Sequence, residues 1–122
     1  ATRGFVGLGN DVLIGGLIIV GDSDQTVTIR ARGPSLIEAD PNLQNLLSDP
    51  FLQLFNGAGE LIDSNDNWRE HSSAESLRGD LSPTNDTEAV ITRTLAPGAY
   101  TAIVRGNSDS TGIGIVEVFE ID

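Results

Sequence analysis

The 122-residue sequence contains no cysteine, no lysine and no methionine. Without cysteine, thiol catalysis, disulfide bonds and cysteine-based zinc sites are excluded. Without lysine, the chain forms neither a Schiff base nor a lysine–asparagine crosslink. His71 is the only histidine, so a metal site with several histidines from one chain is excluded as well.

Positive charge and long apolar runs are also scarce. Seven arginines oppose 18 acidic residues, which gives a formal net charge of −11 at pH 7. A surface this acidic repels phosphate groups, so neither nucleic acid nor an anionic membrane is an expected partner. Divalent cations, by contrast, are attracted to it. The longest apolar stretch, 12–20, is too short to span a bilayer.

What the sequence does contain is a series of short β-branched segments between glycine-rich turns. Residues 25–32 alternate cleanly, with Val27, Ile29 and Ala31 on one face. The other predicted strands lie at 1–9, 51–55, 60–63, 87–95, 99–105 and 113–121. The segment 11–20 is predicted to be a strand pair or one bulged strand, because Gly15 and Gly16 interrupt its apolar run. The segment 35–47 is predicted to be a crossover loop with a short helical turn. About eight strands predict one all-β domain over residues 1–122, an antiparallel β-sandwich or jelly roll.

Several segments carry a resemblance to a known type of domain. They are TRGFVG at 2–7, VLIGGLIIVG at 12–21, IRARGPSL at 29–36, SNDNW at 64–68, LAPGAYTAIVRG at 95–106 and TGIGIVEVFEID at 111–122. Together they resemble a bacterial secreted β-sandwich repeat domain, found in large exported proteins of the cell surface or matrix. The part from Phe51 onwards is also similar to pre-peptidase C-terminal domains, which are non-catalytic and often bind calcium. The resemblance therefore implies a β-sandwich, secretion to the extracellular space and a calcium site.

Two acidic loops suggest where calcium would bind. Calcium takes six to eight oxygen ligands, and flexible loops rich in carboxylates and amides supply them. The loops 63–67 and 85–88 have this composition and would meet at one end of a sandwich. The alternative is that these side chains cap turns through local hydrogen bonds. The predicted ligands are Asp63, Asn65, Asp66, Asn67, Asp86 and Glu88.

Three single residues have both a structural and a functional interpretation. Trp68 is expected to plug the open end of the sandwich, although a tryptophan beside a loop also stacks on sugar rings. Tyr100 resembles a corner tyrosine whose hydroxyl binds the backbone. His71 has serines and acids nearby, but no nucleophile elbow is present, so a catalytic triad is not expected.

The apolar stretch 12–20 is unusual because a strand of a two-layer sandwich normally has one apolar face. Here both faces are apolar. Either the 36–47 segment covers the outer face, or another subunit does.

These observations predict a non-catalytic extracellular structural protein. The leading hypothesis is a subunit that self-assembles head to tail into a biofilm-matrix or surface filament, with calcium offsetting the shared negative charge. The alternative is a carbohydrate-binding accessory module of a larger secreted protein, which would bind extracellular polysaccharide through Trp68 and the 64–86 loop.

Overall fold

The computed structural model describes residues 1–121 and consists of β-strands joined by turns and short 3-10 helices. The strands are β1 (Thr2–Val6), β2 (Leu13–Ile19), β3 (Gln25–Arg32), β4 (Pro50–Asn56), β5 (Leu61–Asn65), β6 (Ala89–Leu95), β7 (Gly98–Gly106) and β8 (Gly112–Ile121). The 3-10 helices are Pro34–Glu38, Trp68–Glu70, Ala74–Ser76, Gly79–Leu81 and Asn107–Asp109. Across residues 1–121, no helix has the length and apolar character needed to cross a membrane.

The strands form two four-stranded antiparallel sheets. Sheet A has the order β1-β8-β3-β6, and sheet B has the order β2-β7-β4-β5. Successive strands therefore alternate between the sheets along much of the chain, as in a jelly roll. The predicted fold class, an antiparallel β-sandwich or jelly roll of eight strands, is confirmed.

The core lies between the sheets and follows the predicted alternation. In β3, Val27, Ile29 and Ala31 are at most 1% exposed, as expected. They pack in one buried cluster with inward residues of sheet B, among them Leu52, Leu54, Ala102 and Val104. Alternate residues of each strand consequently point away from the core. The polarity and charge of these outward side chains determine what each outer face can bind.

The strand β2 is one continuous strand rather than a strand pair. Of its two glycines, Gly15 faces the core, where a Cβ would lie 2.9 Å from Val116 of sheet A. Glycine is thus required there by the close approach of the two sheets, and it neither breaks nor bulges the strand.

The 35–47 segment forms the predicted helical turn but does not cover β2. Its Leu47 is fully buried and donates its backbone N–H to the oxygen of Ile113, 2.9 Å away. The segment therefore continues sheet A beside the start of β8. The outward side chains of β2 stay open, with Ile14 55% and Ile18 71% exposed.

The long loop between β5 and β6 closes one side of the sandwich. The Oδ1 of Asn65 accepts the N–H of Val90 at 2.8 Å, and the Oγ of Ser73 accepts the N–H of Thr92 at 3.1 Å. The backbone of the outer strand β6 is thereby hydrogen-bonded to the last residue of β5 and to the loop. On the opposite side, β1 and β2 are the outermost strands of their sheets.

Candidate functional site

The outer face of sheet B is rich in apolar residues and free of acidic ones. The outward residues of its four strands, here called the apolar face, are Ile14, Gly16, Ile18, Phe51, Gln53, Phe55, Leu61, Ser64, Ala99, Thr101, Ile103 and Arg105. None of the 18 acidic residues of the chain is in this set. Its one charge, Arg105, is held by Gln53 Oε1 at 2.9 Å and by the carbonyl of Gly9 at 3.1 Å.

The apolar face is open to solvent over much of its area. Ile18, Ile14 and Leu61 are 71%, 55% and 52% exposed. Single exposed apolar residues are ordinary, but a contiguous patch on a monomer marks an interaction surface. The chain as a whole carries a net charge of −11, but this patch contains no acidic residue, so a second copy meets little electrostatic repulsion there.

The outer face of sheet A has a different composition. Two threonine pairs bridge β3 and β6, with Thr26 and Thr94 at 2.7 Å and Thr28 and Thr92 at 2.8 Å. Next to them, on β8, Glu117 forms ion pairs with the two outward arginines of β3, Arg30 and Arg32, each at 2.9 Å. These polar groups satisfy one another, so the face needs no partner to complete its hydrogen bonds.

The six predicted calcium ligands do not meet in one cluster. Among residues 1–121, no three His, Cys, Asp or Glu side chains are grouped as a metal site would require. Asp63 is 2.9 Å from His71 and 3.3 Å from Arg93. Asp86 pairs with Arg69 at 2.7 Å on the exposed surface. Both carboxylates therefore already have cationic or hydrogen-bonding partners from the chain itself.

The remaining side chains of the predicted set, apart from Asp66, also have structural partners. Asn65 binds β6 as described above, and Asn67 donates to the carboxylate of Glu70 at 3.1 Å. Glu88 is fully buried; its Oε2 accepts the N–H groups of Gly33 and Ser35 at 2.8 and 2.9 Å, and its Oε1 has no hydrogen-bond partner. These contacts anchor loops, which is the turn-capping alternative considered from the sequence.

Asp66 is the exception, because it faces a second carboxylate. The side chain of Asn107 donates to Asp66 Oδ2 at 3.0 Å and to Asp49 Oδ2 at 3.1 Å. The other oxygen of each aspartate, Oδ1, is buried without a hydrogen-bond partner. Burial and the Asp49 carboxylate raise the pKa of Asp66 to about 6. Two adjacent carboxylates with buried, unpaired oxygens can either share a proton or bind a cation.

Sequence reasoning missed Asp49 and Asn107 because both lie far from the acidic loops along the chain. The signal that identifies them is strand pairing, because residues that flank two paired strands lie next to each other. Asp49 precedes β4, Asn107 follows β7, and the register pairs Pro50 with Gly106. The two residues therefore had to lie side by side at one end of sheet B.

A hydrogen-bonded chain of Asp63, His71 and Ser73 resembles a catalytic triad but serves the fold. His71 Nε2 is 2.9 Å from Asp63, and its Nδ1 is 2.7 Å from the hydroxyl of Ser73. The Ser73 backbone N–H also donates to Nδ1, which makes Nδ1 the acceptor and Nε2 the protonated nitrogen. Ser73 Oγ in turn accepts the N–H of Thr92, so this oxygen already helps to hold β6.

The pKa of Asp63 reflects the same network. Burial alone would raise the pKa of this carboxyl group. The hydrogen bonds from His71, the N–H of Ser64 and the guanidinium of Arg93 outweigh burial and lower the pKa below its ordinary value of 3.8.

The structural interpretations of the two single aromatic residues are confirmed. Trp68 is only 7% exposed, and the Arg69 guanidinium lies 4.3 Å from its ring centre. Trp68 therefore offers no open ring for a sugar to stack on. The hydroxyl of Tyr100 donates to the carbonyl of Ala96 at 2.7 Å, as a corner tyrosine does.

Comparisons with known proteins agree with the fold. No family model matches the sequence, and no curated protein matches it. Among solved structures, the chain is similar to the 1.0 Å crystal structure of the pre-peptidase C-terminal domain of collagenase from Bacillus anthracis. The TM-score is 0.56 at 11% identity, over 97% of this chain and 86% of that chain. The predicted similarity to pre-peptidase C-terminal domains is thus confirmed at the level of the fold.

Proposed function

We propose that this chain is a non-catalytic, extracellular structural module whose copies associate through the apolar face of sheet B. In this proposal the copies join head to tail into a filament of a biofilm matrix or cell surface. The supporting observation is the apolar face itself, which is exposed and carries no acidic residue in a chain of net charge −11. Burying it removes apolar surface from water, which favours association by about 25 cal/mol per Å².

The size of the apolar face predicts the strength of the contact. Four strands about 4.8 Å apart and about six residues long, at 3.3 Å per residue, span roughly 400 Å². A standard interface buries about 800 Å² on each partner. Association through this face alone is therefore expected to be weak, with a dissociation constant on the order of micromolar or higher. Copies repeated in one larger protein or concentrated in a matrix would associate more strongly.

The extracellular assignment rests on the sequence resemblance and on the likeness in fold. The similar solved domain is the pre-peptidase C-terminal domain of a collagenase. A module of this kind in a larger secreted protein needs no active site of its own. The Asp63–His71–Ser73 chain agrees with this, because its serine oxygen already accepts a backbone N–H.

In the proposal, calcium binds between Asp49 and Asp66 rather than between the six residues predicted from the sequence. The two unpaired buried oxygens need a proton or a cation. Calcium also lowers the negative charge of each copy, which favours association of subunits that repel one another. Chelation is accordingly expected to loosen the assembly.

Sedimentation velocity over a range of concentrations tests association through the face. In calcium, we expect the wild type to form larger species as concentration rises. Ile18→Asp places a charge on the apolar face and should stay monomeric. Ile37→Asp is the matched control, because Ile37 is 41% exposed but lies on the 3-10 helix Pro34–Glu38. A wild type that is monomeric at its highest soluble concentration, or an Ile18→Asp variant that assembles normally, would refute the proposal.

Thermal unfolding with added calcium tests the metal site. Calcium should raise the melting temperature of the wild type by binding only the folded state. Asp66→Asn removes one of the two carboxylates and should abolish the rise. Asp86→Asn, whose side chain is 74% exposed and pairs with Arg69, should leave it intact. An unchanged wild-type melting temperature would exclude this site.

A further inference from the structure

The apolar face contains a groove at the end where β4 turns into β5. The groove has a volume of about 420 Å³ and is lined by Phe55, Ala99, Thr101 and Ile103, together with Asn56 and two glycines of the turn. This volume is in the range of small-ligand pockets, so it accommodates a leucine side chain.

The chemistry of the groove suits an apolar side chain rather than a polar ligand. Small-ligand sites combine apolar walls with a few converging polar groups. Here the side-chain oxygen Oδ1 of Asn56 accepts the N–H groups of Ala58 and Glu60, and its side-chain nitrogen Nδ2 donates to the Glu60 carboxylate. The amide group of Asn56 is therefore occupied within the turn, and the hydroxyl of Thr101 is the remaining side-chain polar group of the lining.

The chain itself presents an apolar side chain of the right kind. Leu8 is 62% exposed at the tip of the turn between β1 and β2. The turn is held by a hydrogen bond from Gly7 N–H to the Asp11 carbonyl at 2.8 Å. Arg105 also binds the Gly9 carbonyl. Leu8 is thus displayed on a fixed turn, which lowers the entropy cost of inserting it into a partner.

The Leu8 turn and the groove lie at opposite ends of sheet B. The contact with Arg105 places the turn at the end where Arg105 pairs with Phe51. The groove lies at the other end, where Tyr100 pairs with Asn56. Five residues of strand, about 17 Å, separate the two ends.

We infer that Leu8 of one copy occupies the groove of the next copy. The inference rests on the proposed function and specifies its geometry. Because the two contact surfaces differ and lie at opposite ends, the contact is heterologous and repeats along a chain of copies instead of closing a two-fold dimer. Four groove residues belong to the apolar face, so a copy that inserts Leu8 also covers part of that face. This adds buried area to a face that alone supplies only about half of a standard interface.

Two complementary variants test the inference by sedimentation velocity. Leu8→Asp removes the inserted side chain but leaves the groove, and Ala99→Glu blocks the groove but leaves Leu8. Each variant alone is expected to stay monomeric, with its dissociation constant raised at least tenfold. An equimolar mixture should form 1:1 dimers and nothing larger, because one intact Leu8 and one intact groove remain. Ile37→Asp and Ala96→Glu are the charge-matched controls, and both should assemble like the wild type.

The outcomes separate this inference from the proposed function. If Leu8→Asp assembles like the wild type, or if the mixture stays monomeric, Leu8 does not enter the groove. Association through the apolar face still stands in that case, provided that Ile18→Asp disrupts it. If the wild type never associates, both proposals fail. Circular dichroism melts of each variant establish that it is folded, so that loss of assembly is not loss of structure.

Discussion

Replacing Asn65 distinguishes a strand cap from a calcium ligand, the two roles that its position allows. The side chain is 7% exposed and makes two hydrogen bonds. Its Oδ1 accepts the N–H of Val90 at 2.8 Å, and its Nδ2 donates to the Asn67 carbonyl at 3.0 Å. Asn65→Ala leaves both backbone groups without a partner. Each such group costs about 1–2 kcal/mol when buried, so the expected loss of unfolding free energy is about 2–4 kcal/mol.

This loss is large enough to measure by thermal or urea unfolding. For a domain of this size it corresponds to a fall in melting temperature of about 5–15 °C. Asn67→Ala is the control, because the Asn67 side chain contacts only the exposed Glu70 carboxylate and its loss should cost less than about 0.5 kcal/mol. Both melts are recorded in a chelator, so that bound calcium does not contribute.

Asn65→Asp gives opposite results under the two roles. As a strand cap, the new carboxylate still accepts from Val90 but faces the Asn67 carbonyl without a hydrogen to donate, in a buried position. Stability should then fall at neutral pH at least as far as in Asn65→Ala. As a calcium ligand, the added charge would strengthen binding and raise the melting temperature in calcium. A calcium-induced rise in melting temperature larger than that of the wild type, or an Asn65→Ala loss below about 0.5 kcal/mol, would refute the capping role.

Three further predictions concern pH, Trp68 and salt. Because the pKa of Asp63 is lowered in the folded state, its stabilising contribution is present above its ordinary value of 3.8 and is lost as pH falls through the folded value. The wild type should therefore lose stability more steeply than Asp63→Asn in melts recorded below about pH 4, and equal slopes would contradict this. Trp68→Ala should lower the unfolding free energy by about 3–5 kcal/mol without changing retention on polysaccharide gels, whereas lost retention in the folded variant would support the carbohydrate-binding alternative. Without calcium, association measured by sedimentation should strengthen as sodium chloride increases, because salt screens the repulsion between copies of charge −11, and weaker association would contradict an apolar contact.

The strands were predictable because their signals are local. Alternation in β3 and glycine-rich turns between β-branched segments depend on neighbouring residues, and both agree with the structure. The continuity of β2 was not predictable, because a glycine such as Gly15 suggests an interrupted strand. The close contact with Val116 of the other sheet explains this glycine, and it is visible only in the structure. The exposure of Ile14 and Ile18 likewise depended on where the 35–47 segment runs.

The acidic loops were harder to interpret because nearness in sequence does not determine which side chains meet. Asp63 and Asp66 are only three residues apart, but one faces His71 and the other faces Asp49. Several acidic side chains form ion pairs with arginines, and the positions of those arginines depend on the tertiary fold. A composition typical of calcium loops thus identified one residue, Asp66, of the carboxylate pair that the structure assembles.

The loop that holds β6 also determines where this domain tolerates foreign sequence. At 23 residues, the connection between β5 and β6 is the natural choice for inserting a peptide or a tag, since long surface loops usually accept insertions. Here an insertion near Asn65 or Ser73 would detach the backbone of an outer strand and expose it to aggregation. The short exposed turn at 22–24, which joins β2 to β3, is the safer position for displaying a guest sequence on this scaffold.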